Sequence, residues 1–221
     1  MARKEKDAAG TLVIGLGRFG SAVAATLNRL GREVLAIEKT PEIINQWQGR
    51  LPLIQADGTN VEALEQVGVN DFQSAVVGVG SSLEASVLIT ANLVDLGMPA
   101  IWAKATSREH GRILQRIGAH HVVYPEFDAG QRTAHLVGGP MLDYIEMGKG
   151  FSIVKMHPPQ ETHGFNLGEL DIPQHYGVKV LGVMSPGQPF EYASDTTRIN
   201  SNDVIIVSGD ATLLEKFAQR P

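Results

Sequence analysis

From Thr11 to about Tyr124 the chain alternates short apolar runs with helix-length segments, the pattern of repeated βα units that build a parallel sheet. Six runs stand out: Thr11–Ile14, Glu33–Ile37, Leu53–Gln55, Ala75–Val79, Ala100–Lys104 and His121–Tyr124. Each is rich in Val, Ile or Leu with little alternation, as expected of strands covered on both faces. Six such strands suit a complete doubly wound, Rossmann-type α/β sheet. The segment Leu83–Leu96 reads as a helix that is apolar around most of its circumference. Leu83, Val87, Ala91 and Val94 form one stripe, and Ile89, Leu93 and Leu96 another, so covering the sheet uses only part of it. The remainder is sandwiched within the chain or buried at a subunit contact.

The pattern changes after the sixth run. Phe127–Met147 carries apolar residues near helical spacing (Leu136, Val137, Leu142, Ile145), broken by Gly138, Gly139 and Pro140, and reads as a crossover. Past Gly148 come strand-like runs at Phe151–Met156, Val178–Met184 and Val204–Val207, then a closing helix near Ala211–Ala218. The organisation expected is a flexible tail over 1–10, a Rossmann-type domain with its crossover helix over 11–140, and a second, smaller α/β domain over 141–221.

Composition narrows the chemistry. The 221 residues include no cysteine, which removes disulfide frameworks, zinc–thiolate sites and thiol nucleophiles together. No apolar run approaches the roughly 20 residues needed to span a bilayer, and the charged N-terminus has no apolar stretch behind it, so a cytoplasmic protein without direct membrane insertion is expected. The formal charge is −5, with Lys and Arg scattered along the chain, which argues against nucleic acid as a partner.

One motif carries chemistry. The first strand runs into Gly15-Leu16-Gly17-Arg18-Phe19-Gly20 and then into the good helix sequence Ser21–Leu30. In a dinucleotide-type fold the first glycine permits a tight turn, the second lets a phosphate approach the backbone, and the third allows close packing of helix on strand. The helix N-terminus then offers free N–H groups and a partial positive charge. Glu38 ends the next strand, about 20 residues on, where a carboxylate accepts hydrogen bonds from ribose hydroxyls and repels a 2′-phosphate. That favours ATP, ADP or NAD(H), although a cation at Lys39 is suited to a 2′-phosphate. Asp57-Gly58-Thr59 follows the third strand, either as a loop edging an adenine pocket, or with Asp57 as the N-cap of the next helix or part of a plain turn. Gly78 and Gly80 follow the fourth strand beside the first glycine turn and leave room for a nucleotide. Arg18 either reaches a terminal phosphate or is a solvated turn residue. There is no Tyr-x-x-x-Lys pair, P-loop or H-E-x-x-H, and the seven histidines form no ligand pattern, so no catalytic residue is nominated.

Several longer motifs accompany the glycine turn: A-D-G-T at Ala56–Thr59, I-W-A-K-A at Ile101–Ala105, L-Q-R-I-G-A at Leu114–Ala119 and Y-P-E-F-D at Tyr124–Asp128. With Tyr176-Gly177 and N-D-V-I-I-V-S-G at Asn202–Gly209, they make the chain resemble the RCK (regulator of potassium conductance) proteins, the KtrA/TrkA-like subunits of potassium uptake systems. The resemblance implies a homo-oligomer, dimers assembled into an octameric ring, that docks on a potassium-translocating membrane subunit and changes shape with the bound nucleotide, ATP or ADP. It implies that Gly15, Gly17, Arg18 and Gly20 surround the phosphates, Glu38 the ribose, and Asp57 and Thr59 the base. Phe19, Lys39, Gly58, Gly78 and Gly80 complete the site in this reading. Lys104 and Glu126 match positions near a nucleotide-facing dimer surface, where Glu126 would help hold a divalent cation, Mg²⁺ or Ca²⁺. Their plain alternatives are a strand-end lysine and a solvated loop glutamate. Pro173 stands where relatives that bind cyclic di-AMP carry a cation, which speaks against that ligand. The competing reading on the same fold is an NAD(H)-binding redox sensor or an NAD-dependent oxidoreductase.

Overall fold

The computed structural model describes residues 10–221, so the tail expected over 1–10 lies, apart from Gly10, outside the described residues. The chain divides into two compact units at Glu126/Phe127. In the first, β1 (Thr11–Ile14), α1 (Arg18–Arg29), β2 (Val34–Glu38), α2 (Pro41–Trp47), β3 (Leu53–Gln55) and α3 (Val61–Gln66) form one half. The other half is β4 (Ser74–Val77), α4 (Leu83–Asp95), β5 (Ile101–Lys104), α5 (Arg108–Ile117) and β6 (His121–Val123). The six strands pair in parallel in the order β3-β2-β1-β4-β5-β6, the doubly wound arrangement expected. β1 is central, and Leu12, Val13 and Ile14 are buried because each face of the sheet carries its own apolar cluster. Leu12 and Ile14 pack with Ile89, Leu93 and Leu114 of α4 and α5, whereas Val13 packs with Ala24 of α1.

Strand ends move slightly from their expected places. β2 starts at Val34, and β4 runs from Ser74 to Val77, releasing Val79 into the loop that follows. α1 begins at Arg18, inside the glycine motif itself. In α4, the stripe of Ile89 and Leu93 is buried with Ser86 and Thr90, while Leu83 and Leu88 remain 52% and 43% exposed.

The second unit is built on an antiparallel sheet. A helix α6 (Pro125–Leu136) leads into β7 (Met141–Gly148) and β8 (Phe151–Met156). Two short helices, α7 (Leu167–Leu170) and α8 (Ile172–Tyr176), precede β9 (Val178–Met184), β10 (Glu191–Tyr192), β11 (Val204–Asp210) and α9 (Ala211–Ala218). Sheet order is β10-β9-β11-β8-β7. Three strands and the closing helix fall where the apolar runs place them, but the crossover over Phe127–Met147 needs correction. The helix stops at Leu136, because Gly138 takes a left-handed φ of 78° and Pro140 follows, and Leu142 and Ile145 belong to the edge strand β7. Residues 127–136 group with the second unit, whereas the boundary expected was 140/141. His135 of α6 stacks on Tyr144 of β7 with centroids 3.7 Å apart and meets Glu215 of α9 at 2.7 Å.

Candidate functional site

The glycine turn leaves β1 at its carboxyl end, between β2 and β4, where the strand order reverses and a crevice opens. Gly15 has φ 90°, a left-handed conformation closed to most side chains. Gly20 is needed for a different reason: a Cβ there would lie 1.9 Å from the Gly15 carbonyl oxygen, so α1 could not approach the turn. Around Gly17, by contrast, a Cβ would meet nothing within 4 Å. The space before it is open. Gly17 is also the N-cap of α1 and provides no side-chain cap, so the first-turn N–H groups face the crevice unsatisfied by side chains. Ser82 and Ser107, by comparison, cap α4 and α5 through their hydroxyls.

The crevice is a cavity of about 370 Å³. Gly15, Gly17, Arg18, Phe19, Glu38, Lys39, Asp57, Gly58, Thr59, Gly78, Gly80 and Lys104 all line it. Gly20 lies beneath the turn, and Glu126 touches the site through Lys104. The residues that sequence reasoning missed are mostly apolar: Ile43 of α2, Ala56 after β3, and Ala85 and Ile89 of α4, together with Thr40 and Ser82. Ala56 belongs to the A-D-G-T motif, Thr40 and Ser82 precede helices, and for Ile43, Ala85 and Ile89 the only signal was membership of a helix, which does not say which turn faces a crevice.

Glu38 is 7% exposed, and its carboxylate is occupied. Oε2 accepts the Leu16 N–H at 2.7 Å, and Oε1 accepts the N–H groups of Lys39 and Thr40, each at 2.9 Å. Burial pushes its pKa up, but the hydrogen bonds from Leu16, Thr40 and Lys39 outweigh that and hold it below the ordinary glutamate range. Glu38 therefore clasps the glycine turn to the end of β2. The Thr40 side chain also lowers its pKa, so a hydroxyl of a bound ligand would have to share the carboxylate with that side chain.

At the third strand's loop Asp57 closes a turn. Its Oδ1 accepts from the Thr59 N–H at 3.0 Å and the Thr59 hydroxyl at 2.8 Å, a local turn, and the N-cap of α3 is Asn60, which accepts from the Ala63 N–H. Asp57 does not cap the helix. The Thr59 backbone and hydroxyl bonds hold its pKa low, and its Oδ2 stands 3.9 Å from Lys39 Nζ, so the Lys39 charge is partly balanced. Asn92 of α4 donates to the Thr59 carbonyl at 3.0 Å, fixing this loop to the opposite half of the sheet. Arg18 is exposed at the start of α1. Among the described residues no group of three or more His, Asp or Glu is placed to hold a metal ion.

Residues 11–125 match the TrkA-N domain family. The chain is similar to Ktr system potassium uptake protein C of Bacillus subtilis (strain 168), with 32% identity over 94% of this chain and 95% of that protein. It is also similar to Ktr system potassium uptake protein A of the same organism, at 29% identity over 93% of each. Among solved structures the GsuK RCK domain has the same fold, with a TM-score of 0.68 at 16% identity; the match covers 98% of this chain and 49% of that one.

Proposed function

The chain belongs to the TrkA-N domain family as an RCK protein of the KtrA/TrkA type, and on that premise we propose that it is the nucleotide-sensing regulatory subunit of a potassium uptake system. The observation that carries this reading is the convergence at one cavity of an open Gly17, an uncapped α1 N-terminus and the Glu38 clasp. Those are the parts that receive a phosphate and a ribose. Curated relatives named as potassium uptake proteins align along almost the whole chain, which supplies the physiological setting.

In this reading the phosphates lie against Gly17 and the α1 N–H groups. Glu38 takes a ribose hydroxyl, and its charge disfavours a 2′-phosphate even with Lys39 nearby, since Asp57 already faces that lysine. The base lies between Ile43 and Ile89, beside Asp57 and Thr59. ATP and ADP are the ligands, read apart by Arg18 at the terminal phosphate. A divalent cation, Mg²⁺ or Ca²⁺, would be shared between phosphates and Glu126, because the protein alone gathers too few oxygen donors there. The partner is a potassium-translocating membrane subunit. No helix among the described residues is long and apolar enough to cross a membrane, in keeping with a peripheral cytoplasmic ring of dimers on that partner.

A nucleotide shifts such a ring only by binding one shape better than another, and a tenfold difference per site is about 1.4 kcal/mol. Calorimetric titration with ATP, ADP and NADH, with and without Mg²⁺, tests the reading. Tight binding of ATP and ADP with weak NADH binding is expected. Tight NADH binding without measurable ATP binding would replace it with an NAD(H)-binding redox sensor or oxidoreductase.

A further inference from the structure

Lys104 lines the cavity, yet its charge is committed to a residue outside it. Its Nζ donates to Glu126 Oε1 at 2.7 Å. The lysine side chain is only 11% exposed and the glutamate 59%, so the lysine is held in the wall and the carboxylate comes to it from the surface. The ammonium lies against Gly80, where a Cβ would come within 3.3 Å of both Lys104 Cε and Nζ. It therefore stands on the loop after β4, beside the glycine turn. The Lys104 hydrogen bond, and more weakly the Arg18 charge, hold the Glu126 pKa low. One surface carboxylate thus holds a cation that lines the cavity.

We propose that Glu126 is a built-in counter-anion: its carboxylate holds the Lys104 ammonium that a nucleotide phosphate would otherwise engage, so phosphate and Glu126 compete for one cation. The proposal rests on the nucleotide-binding reading above and adds a regulatory element to it. Two anions cannot both approach a single ammonium without mutual repulsion. Glu126 belongs to the first turn of α6, the helix that continues into the second unit. Phosphate binding at Lys104 thereby releases the side-chain tie at the start of that helix. A divalent cation placed between the carboxylate and the phosphate would turn the competition into a bridge, because the ion's charge exceeds that of the lysine.

The experiment is calorimetric titration of the full chain with ADP and ATP in EDTA, which removes any shared ion, for the wild type, Glu126→Gln, Lys104→Met and the double variant. Glu126→Gln should bind both nucleotides about two- to fivefold more tightly, the span expected of a partly exposed ion pair. In the Lys104→Met background the same change should give no gain, which separates competition for the lysine from a general effect of surface charge. Glu126→Ala, which shortens the side chain, should reproduce the gain. Unchanged or weaker binding by both Glu126 variants, with the wild type still binding ADP, would overturn the counter-anion and leave the nucleotide reading intact. If the wild type binds neither nucleotide, both fall together.

Discussion

Three backbone N–H groups from two separate loops meet on the carboxylate of Glu38, each a charge-assisted hydrogen bond, that from Leu16 buried and those from Lys39 and Thr40 partly so. Glu38→Gln places an amide donor against at least one of those donors, and a loss of about 2 kcal/mol of stability follows from leaving it unmatched. Its pH dependence has a definite sign. The folded-state pKa is depressed, so the stabilisation is fully present above the ordinary glutamate range and is lost as pH falls through the folded value. Urea unfolding at neutral pH should show the wild type clearly more stable than Glu38→Gln, with the gap closing in acid; equal midpoints at neutral pH would remove the clasp. Arg18 makes a prediction of a different kind. If its guanidinium reads the terminal phosphate, Arg18→Ala weakens ATP binding about tenfold more than ADP binding, and calorimetry showing equal losses would take Arg18 out of the sensing role. The glycine motif and Glu38 were legible as a pair from spacing alone. That Glu38 clasps the turn was not, because its hydrogen-bond partners are set by how β1 and β2 lie side by side.

At the scale of elements, the loop after β3 shows how a cap and a turn divide the work between neighbouring residues. Asp57 closes a turn on Thr59, and Asn60 caps α3 through the Ala63 N–H at 3.0 Å. Asn60→Ala should cost about 1 kcal/mol in thermal or urea unfolding, the usual loss for an N-cap, while leaving the cavity lining unchanged. A cost near zero would mean that α3 is held by Leu64 packing alone. Both residues are good capping types, so sequence could not choose between them. The same limit applied to α6 and β7: Leu136, Leu142 and Ile145 fit a helical period, and the break at Gly138 and Pro140 decided the matter in the folded chain.

Over the whole molecule, the two units have separate cores. Leu12, Ile37 and Leu114 belong to the first, and Met156, Ile205 and Phe217 to the second. Every residue lining the candidate site lies before Glu126. A fragment of residues 1–126 should therefore fold cooperatively and keep its nucleotide affinity to within a few fold by calorimetry, whereas loss of binding would show that the site draws on the rest of the chain. The alternation of apolar runs determined the parallel sheet by itself, since strands buried on both faces must be continuously apolar and their connections must be helices. Local chemistry likewise determined the glycine turn and the acidic strand end. Only the tertiary structure decided that Ile43, Ala85 and Ile89 form the cavity wall, that Lys104 is held by Glu126, and that the residues after Glu126 join an antiparallel sheet. Those outcomes depend on which helix turn faces which strand end, and that is fixed by packing between residues far apart in the chain.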